Sequence, residues 1–123
     1  MINSDMIGYN VGDWEIGISQ FTGSSFATNL VASIAVEYTD LVLDISQESD
    51  GFADCEPFWE LGIPSVYIME TDYNPNYHTI GDTIGTMDFS YCAEMTKTTV
   101  GSVIKVSNEI NILDIPNIKP EPV

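Results

Sequence analysis

Positive charge is almost absent from this chain. Its 123 residues hold three lysines, no arginine and one histidine against nineteen acidic side chains, a formal net charge of -16. Nothing here can neutralise a run of phosphates, so nucleic acid is not expected as a partner. The acids are scattered and not blocked, which reads as a solvated surface that favours solubility and repels itself at low salt. On charge alone, a salty or extracellular setting is expected for the parent protein.

Cysteine is scarce as well. Cys55 and Cys92 are the only two. They have no framework spacing and no Cys-x-x-Cys pairing, so a thiolate zinc site is not expected. A bridge in an oxidising compartment is open to them; buried thiols are the expectation. Long apolar runs are missing too, and no membrane contact is expected. The first residues lack a basic cluster and are interrupted by Asn3, Ser4 and Asp5, so no secretory leader is expected there. Hydrophobic residues make up 44% of the chain, enough for one folded domain with a modest core.

Strands and helices alternate along the chain. Met1–Ile7 reads as a short buried strand. Asp13–Ser19 alternates Trp14, Ile16 and Ile18 with polar or small residues, the pattern of a half-exposed strand. Thr22–Ser25 offers a turn and a helix N-cap. From there Phe26, Leu30, Ile34, Ala35 and Tyr38 mark one helix face. Leu41–Ile45 reads as a strand and 46–52 as a loop. A short helix is expected over Glu56–Leu61, with Pro57 in its first turn, Phe58 and Trp59 in the core and Gly62 as its stop. Pro64–Met69 is a continuous apolar run, expected to be a strand buried on both faces. A long loop, Glu70–Met87, precedes a last helix over about Phe89–Asn111. That helix has Asp88 as N-cap and Phe89, Cys92, Thr96, Val100, Val103 and Ile110 as its apolar stripe. Residues 114–123, with Pro116, Pro120 and Pro122, read as an extended tail or linker. This order predicts an α/β fold around a mostly parallel sheet, with ligands at the carboxyl ends of strands.

The only histidine lies in Tyr73-Asn74-Pro75-Asn76-Tyr77-His78-Thr79-Ile80-Gly81-Asp82-Thr83, whose Pro, Asn and Gly favour an ordered loop. Imidazole is the commonest metal ligand. An Asp in an apolar strand, as at Asp5, is costly to bury unless paired or metal-bound. Three segments carry a resemblance in register. The His78 loop resembles the last metal-ligand motif of the co-catalytic zinc aminopeptidases, the family of bacterial leucyl aminopeptidase and aminopeptidase Y. Asn3-Ser4-Asp5-Met6-Ile7-Gly8 is similar to that family's N-x-D-M-I-G strand. Ala53-Asp54-Cys55-Glu56-Pro57-Phe58-Trp59 is similar to its S-D-H-x-P-F-W segment, with Ala for Ser and Cys for His.

The resemblance runs to about Leu113 and implies a specific set of expectations. The fold would be the three-layer sandwich of the zinc exopeptidases, with residues 1–113 as the C-terminal half of the catalytic domain. Asp5 and His78 would be ligands to two different zinc ions. Tyr73 and Tyr77 would line the substrate side-chain pocket, and Asp54 and Asp82 would support the site. The remaining ligands and the general-base Glu would lie upstream, so no catalytic residue is expected in this chain. Its partners would be a peptide substrate and the missing N-terminal half. The alternatives are a non-catalytic module of the same fold or a glutaminyl-cyclase-like relative.

Overall fold

The structure, a computed structural model, describes residues 1–47 and 53–109. Of the loop expected over 46–52, Ser46 and Gln47 belong instead to the third strand; its remainder, 48–52, the stripe position Ile110 and the tail from 114 lie outside the described residues. Four strands form one sheet: β1 (Ile2–Ser4), β2 (Glu15–Gln20), β3 (Val42–Gln47) and β4 (Val66–Glu70), in the order β1-β4-β2-β3. The pairs β1/β4 and β2/β3 are parallel; β2/β4 is antiparallel. Between the strands lie α1 (Ser25–Tyr38), α2 (Glu56–Glu60) and α3 (Phe89–Glu109), with a 3-10 turn at Ile84–Thr86. The expected α/β fold with a mostly parallel sheet is therefore present.

Register puts Ile16, Ile18, Val66 and Ile68 on one face of the sheet, where Val31 and Ala35 of α1 and Tyr91 and Met95 of α3 close the core. Tyr91 is buried and its hydroxyl donates to the Glu15 carbonyl at 2.5 Å. The opposite face carries Asn3, Gly17, Ser19, Tyr67 and Met69. Cys55, just before α2, comes against Asn3 and Tyr67 on that side, so α2 opens a third layer.

Several expectations about the elements are corrected. β2 is not half exposed: Ile16 to Ser19 are all buried, and the Met69 side chain lies over Gly17, where a Cβ would stand 3.1 Å from its Cγ. β4 is not buried on both faces; Tyr67 and Met69 are half-buried between Val66, Ile68 and Glu70. On α1, Phe26 and Tyr38 are exposed, and Thr28 and Val31 join Leu30, Ile34 and Ala35 inside. α2 buries none of its residues. Its Trp59 packs on Phe21 and donates to the Thr22 carbonyl at 2.8 Å, while Phe58 is exposed. Ser24 occupies the N-cap position of α1 without capping it. Its hydroxyl accepts the Ser65 N–H at 2.9 Å instead, tying α1 to the entry of β4. Both cysteines are free; Cys55 is buried and Cys92 half-buried.

The largest correction concerns α3. Its buried residues are Tyr91, Met95, Thr98 and Ser102, not the apolar stripe. The hydroxyls of Thr98 and Ser102 donate to the carbonyls of Glu94 and Thr98 in the preceding turn, so they can be buried at little cost. Small residues let α3 close on α1, and the larger Phe89, Val100 and Val103 face outward. Ile34, Tyr38, Phe89, Val100 and Ile104 line an open groove of about 1150 Å³ between the two helices. Asp88 is the cap expected for α3, accepting the N–H groups of Ser90 and Tyr91 at 3.0 Å each. The Tyr91 bond first, then the Asn10 side chain, holds its carboxyl below the ordinary range.

At Gly101 α3 comes close to α1. A Cβ there would stand 2.7 Å from Cγ2 of Ile34, a branched side chain that is stiff at χ1. Alanine gains about 1 kcal/mol of helix propensity, whereas overpacking costs about 1–3 kcal/mol. Gly101→Ala is expected to lower the urea midpoint of the chain. An unchanged or higher midpoint would show that the two helices part freely.

Candidate active site

Because β1 and β4 are parallel neighbours, both end at the same rim of the sheet. Asp5 lies just beyond β1. Its N–H donates to the Ile68 carbonyl at 3.2 Å, and its exposed carboxylate accepts the Met6 N–H at 2.8 Å. It is thus not buried inside a strand, as its apolar neighbours suggested. Met6 then takes a φ of 55°, a left-handed conformation that costs a non-glycine residue about 1–2 kcal/mol.

The loop after β4 carries His78. Buried Asn74 organises it: its carbonyl accepts the Tyr77 N–H at 3.1 Å and its side-chain oxygen accepts the Asn76 N–H at 2.9 Å. Thr79 continues the turn, its hydroxyl donating to the Asn76 carbonyl at 2.8 Å. His78 is exposed, has a φ of 57° and stacks on Tyr77 with ring centroids 3.8 Å apart. Left-handed backbone beside one candidate donor and at the other is the kind of strain that collects at functional loops.

Tyr67 and Glu70, which sequence reasoning missed, connect the two loops. Burial first, then the charge of Asp5 and the proximity of Tyr77, push the Tyr67 phenol up to about 12. Glu70 is buried at the end of β4. Desolvation raises its carboxyl, N–H bonds from Tyr9 and Gly8 pull it back, and the charges of Asp82 and Asp5 add to the rise. Its one legible signal was a carboxylate closing an apolar run. Glu70, Asn74, Tyr77, Asp82 and Met6 share the lining of a cavity of about 180 Å³. Asp82 is exposed and accepts from the Asn74 side chain at 3.4 Å. Tyr77 is 44% exposed and Tyr73 82% exposed; Tyr73 is outside the cavity lining. Asp54 is exposed in the turn before α2.

A carboxylate and an imidazole suit zinc in kind. Among the described residues, no three His, Cys, Asp or Glu side chains converge on one point. Asp5 and His78 thus supply donor types that suit zinc without forming a closed site among the described residues.

Residues 1–103 match peptidase family M28 along their whole length. The chain belongs to peptidase family M28. Leucine aminopeptidase 1 of Paracoccidioides brasiliensis is 23% identical over 116 residues, covering 87% of this chain and 30% of that protein. Its counterpart in Ajellomyces dermatitidis is 25% identical over 111 residues, 82% of this chain and 29% of that protein. The M28 chain thus spans about 30% of the length of the curated relatives it matches. Solved structures share its fold. The LapA aminopeptidase of Legionella pneumophila has a TM-score of 0.79 at 23% identity, over 89% of this chain and 31% of that one. A zinc aminopeptidase from Bacillus subtilis has a TM-score of 0.71 at 24% identity, over 85% and 27%. The resemblance to zinc aminopeptidases carried by the three motifs is upheld, and so is the sandwich fold it implied.

The Tyr67 environment gives a pH test. Its folded pKa, about 12, lies above the ordinary 10.0. Keeping this phenol protonated in the fold therefore stabilises fully below about pH 10 and is lost as pH rises through about 12. Burial raises Tyr91 in the same direction. Ultraviolet titration of the six tyrosines should show a late-ionising fraction that Tyr67→Phe reduces, and unfolding free energy should fall across this window. Six phenols ionising together near their ordinary pKa would contradict this environment.

Proposed function

We propose that this M28 chain is part of a zinc-dependent aminopeptidase domain that hydrolyses N-terminal residues from peptides. The observation that carries the reading is the family match over residues 1–103, which includes Asp5 at the end of β1 and His78 in the loop after its parallel neighbour. Asp5 offers a carboxylate to one zinc ion and His78 an imidazole nitrogen to the other. The remaining ligands and the general-base Glu come from a part of the domain not in this chain, which is its structural partner. Bound zinc supplies Lewis acidity toward the scissile carbonyl and toward water. Tyr77, stacked on His78, and Tyr73 in the same loop offer apolar area to the side chain of an N-terminal residue. Asp82 and Asp54 have supporting roles. A saline, extracellular setting accords with the net charge of -16.

A second reading, a binding or structural module without catalysis, draws on the missing third donor among the described residues. Both readings are tested by two measurements. The chain by itself should not turn over a chromogenic aminoacyl substrate with added zinc, and calorimetry should find weak zinc binding, since a catalytic zinc takes three protein ligands. Chelator-sensitive turnover with sub-micromolar zinc affinity would refute that expectation.

The complementary measurement completes the chain to a full M28 domain, by fusion or in trans. Asp5→Ala and His78→Ala should each remove at least one zinc equivalent and nearly all activity. Asp82→Ala should keep most of the metal. Full zinc occupancy and rate in both ligand variants would show the assignment to be wrong, and an inactive, zinc-free completed domain would favour the module.

A further inference from the structure

Glu70 is 3% exposed, yet it bears a carboxylate. It sits on the same face of β4 as the buried Val66 and Ile68, where an apolar residue would avoid the desolvation cost. Beyond its place opposite Ile16 of β2, its hydrogen bonds go to the loop leaving Asp5. Its backbone N–H donates to the Met6 carbonyl at 2.7 Å. Its Oε2 accepts the N–H groups of Gly8 at 2.9 Å and Tyr9 at 2.7 Å. Met6, whose left-handed backbone needs outside restraint, is thus fixed from both sides. The Gly8 carbonyl in turn accepts the Asp88 N–H at 2.8 Å, so the loop is also anchored to the start of α3. On its other side Glu70 borders the cavity shared with Asn74, Tyr77 and Asp82 of the His78 loop.

We propose that Glu70 is a positioning residue for the metal centre: by clamping the turn from Met6 to Tyr9 it fixes the Asp5 carboxylate relative to the His78 loop. The proposal rests on the zinc reading above. Outer residues that hold a ligand in place commonly control metal affinity without touching the metal. Both N–H bonds go to one oxygen, so a glutamine can keep them through its single carbonyl oxygen, and an alanine cannot.

The test compares Glu70→Ala with Glu70→Gln in two settings. In the 123-residue chain, Glu70→Ala should speed amide exchange at Gly8 and Tyr9 by about tenfold or more relative to the buried turns of α1, which report global opening. Glu70→Gln should stay near wild type. In the completed domain titrated with zinc chloride, Glu70→Ala should weaken zinc affinity by about 10–100-fold and lower kcat more than it changes KM, and Glu70→Gln should restore both. Unchanged exchange in Glu70→Ala would overturn the clamp. Lost protection with unchanged zinc affinity and kcat would make Glu70 merely structural and overturn the proposal. A glutamine variant as impaired as alanine would overturn it too. A wild-type completed domain that binds no zinc would sink the zinc reading itself, and this proposal with it.

Discussion

The parallel ladder between β1 and β4 is the constraint on which the rest depends. Parallel strands end on the same side, so the residues leaving them emerge at one rim. The Asp5 N–H extends the ladder to the Ile68 carbonyl, and the Glu70 N–H extends it to the Met6 carbonyl. Were β1 to pair antiparallel with β4, Asp5 and the His78 loop would stand at opposite ends of the sheet. Every chemical role assigned to the rim follows from that one direction of pairing.

Scarcity of cations imposes a second constraint. Among the described residues the one ion pair is Lys97 with Glu94, and three acids near the rim accept backbone N–H groups instead. Asp5 takes that of Met6, Glu70 those of Gly8 and Tyr9, and Asp72 that of Val11 at 2.8 Å. Such bonds fix loops more tightly than a long flexible lysine would, because the donor is part of the chain being fixed. An acidic chain thereby converts its excess carboxylates into loop restraints.

The outward face of α3 shows where hydropathy misleads. Phe89, Val100 and Val103 are the apolar residues, yet Thr98 and Ser102 go inside because each can satisfy its hydroxyl within the helix and each is small. Close approach of α1 and α3 at Gly101 rewards small side chains over greasy ones. The larger apolar side chains are left lining the open groove between α1 and α3.

By itself the sequence determined the order and type of the elements, the cap at Asp88, the loop around His78 and the family, since these depend on local spacing and on motifs. That Asp5 and the His78 loop leave the sheet at one rim was legible from the order of the elements. Tertiary structure alone decided which faces are buried, because burial depends on what packs opposite: β2 is covered on both faces, with the Met69 side chain over Gly17, and α3 turns Thr98 and Ser102 inward beside Tyr91 and Met95. It alone also revealed Tyr67 and Glu70. Their part at the rim comes from contacts between segments some sixty residues apart, as in the Gly8 and Tyr9 bonds to Glu70, and no local pattern encodes a partner at that distance.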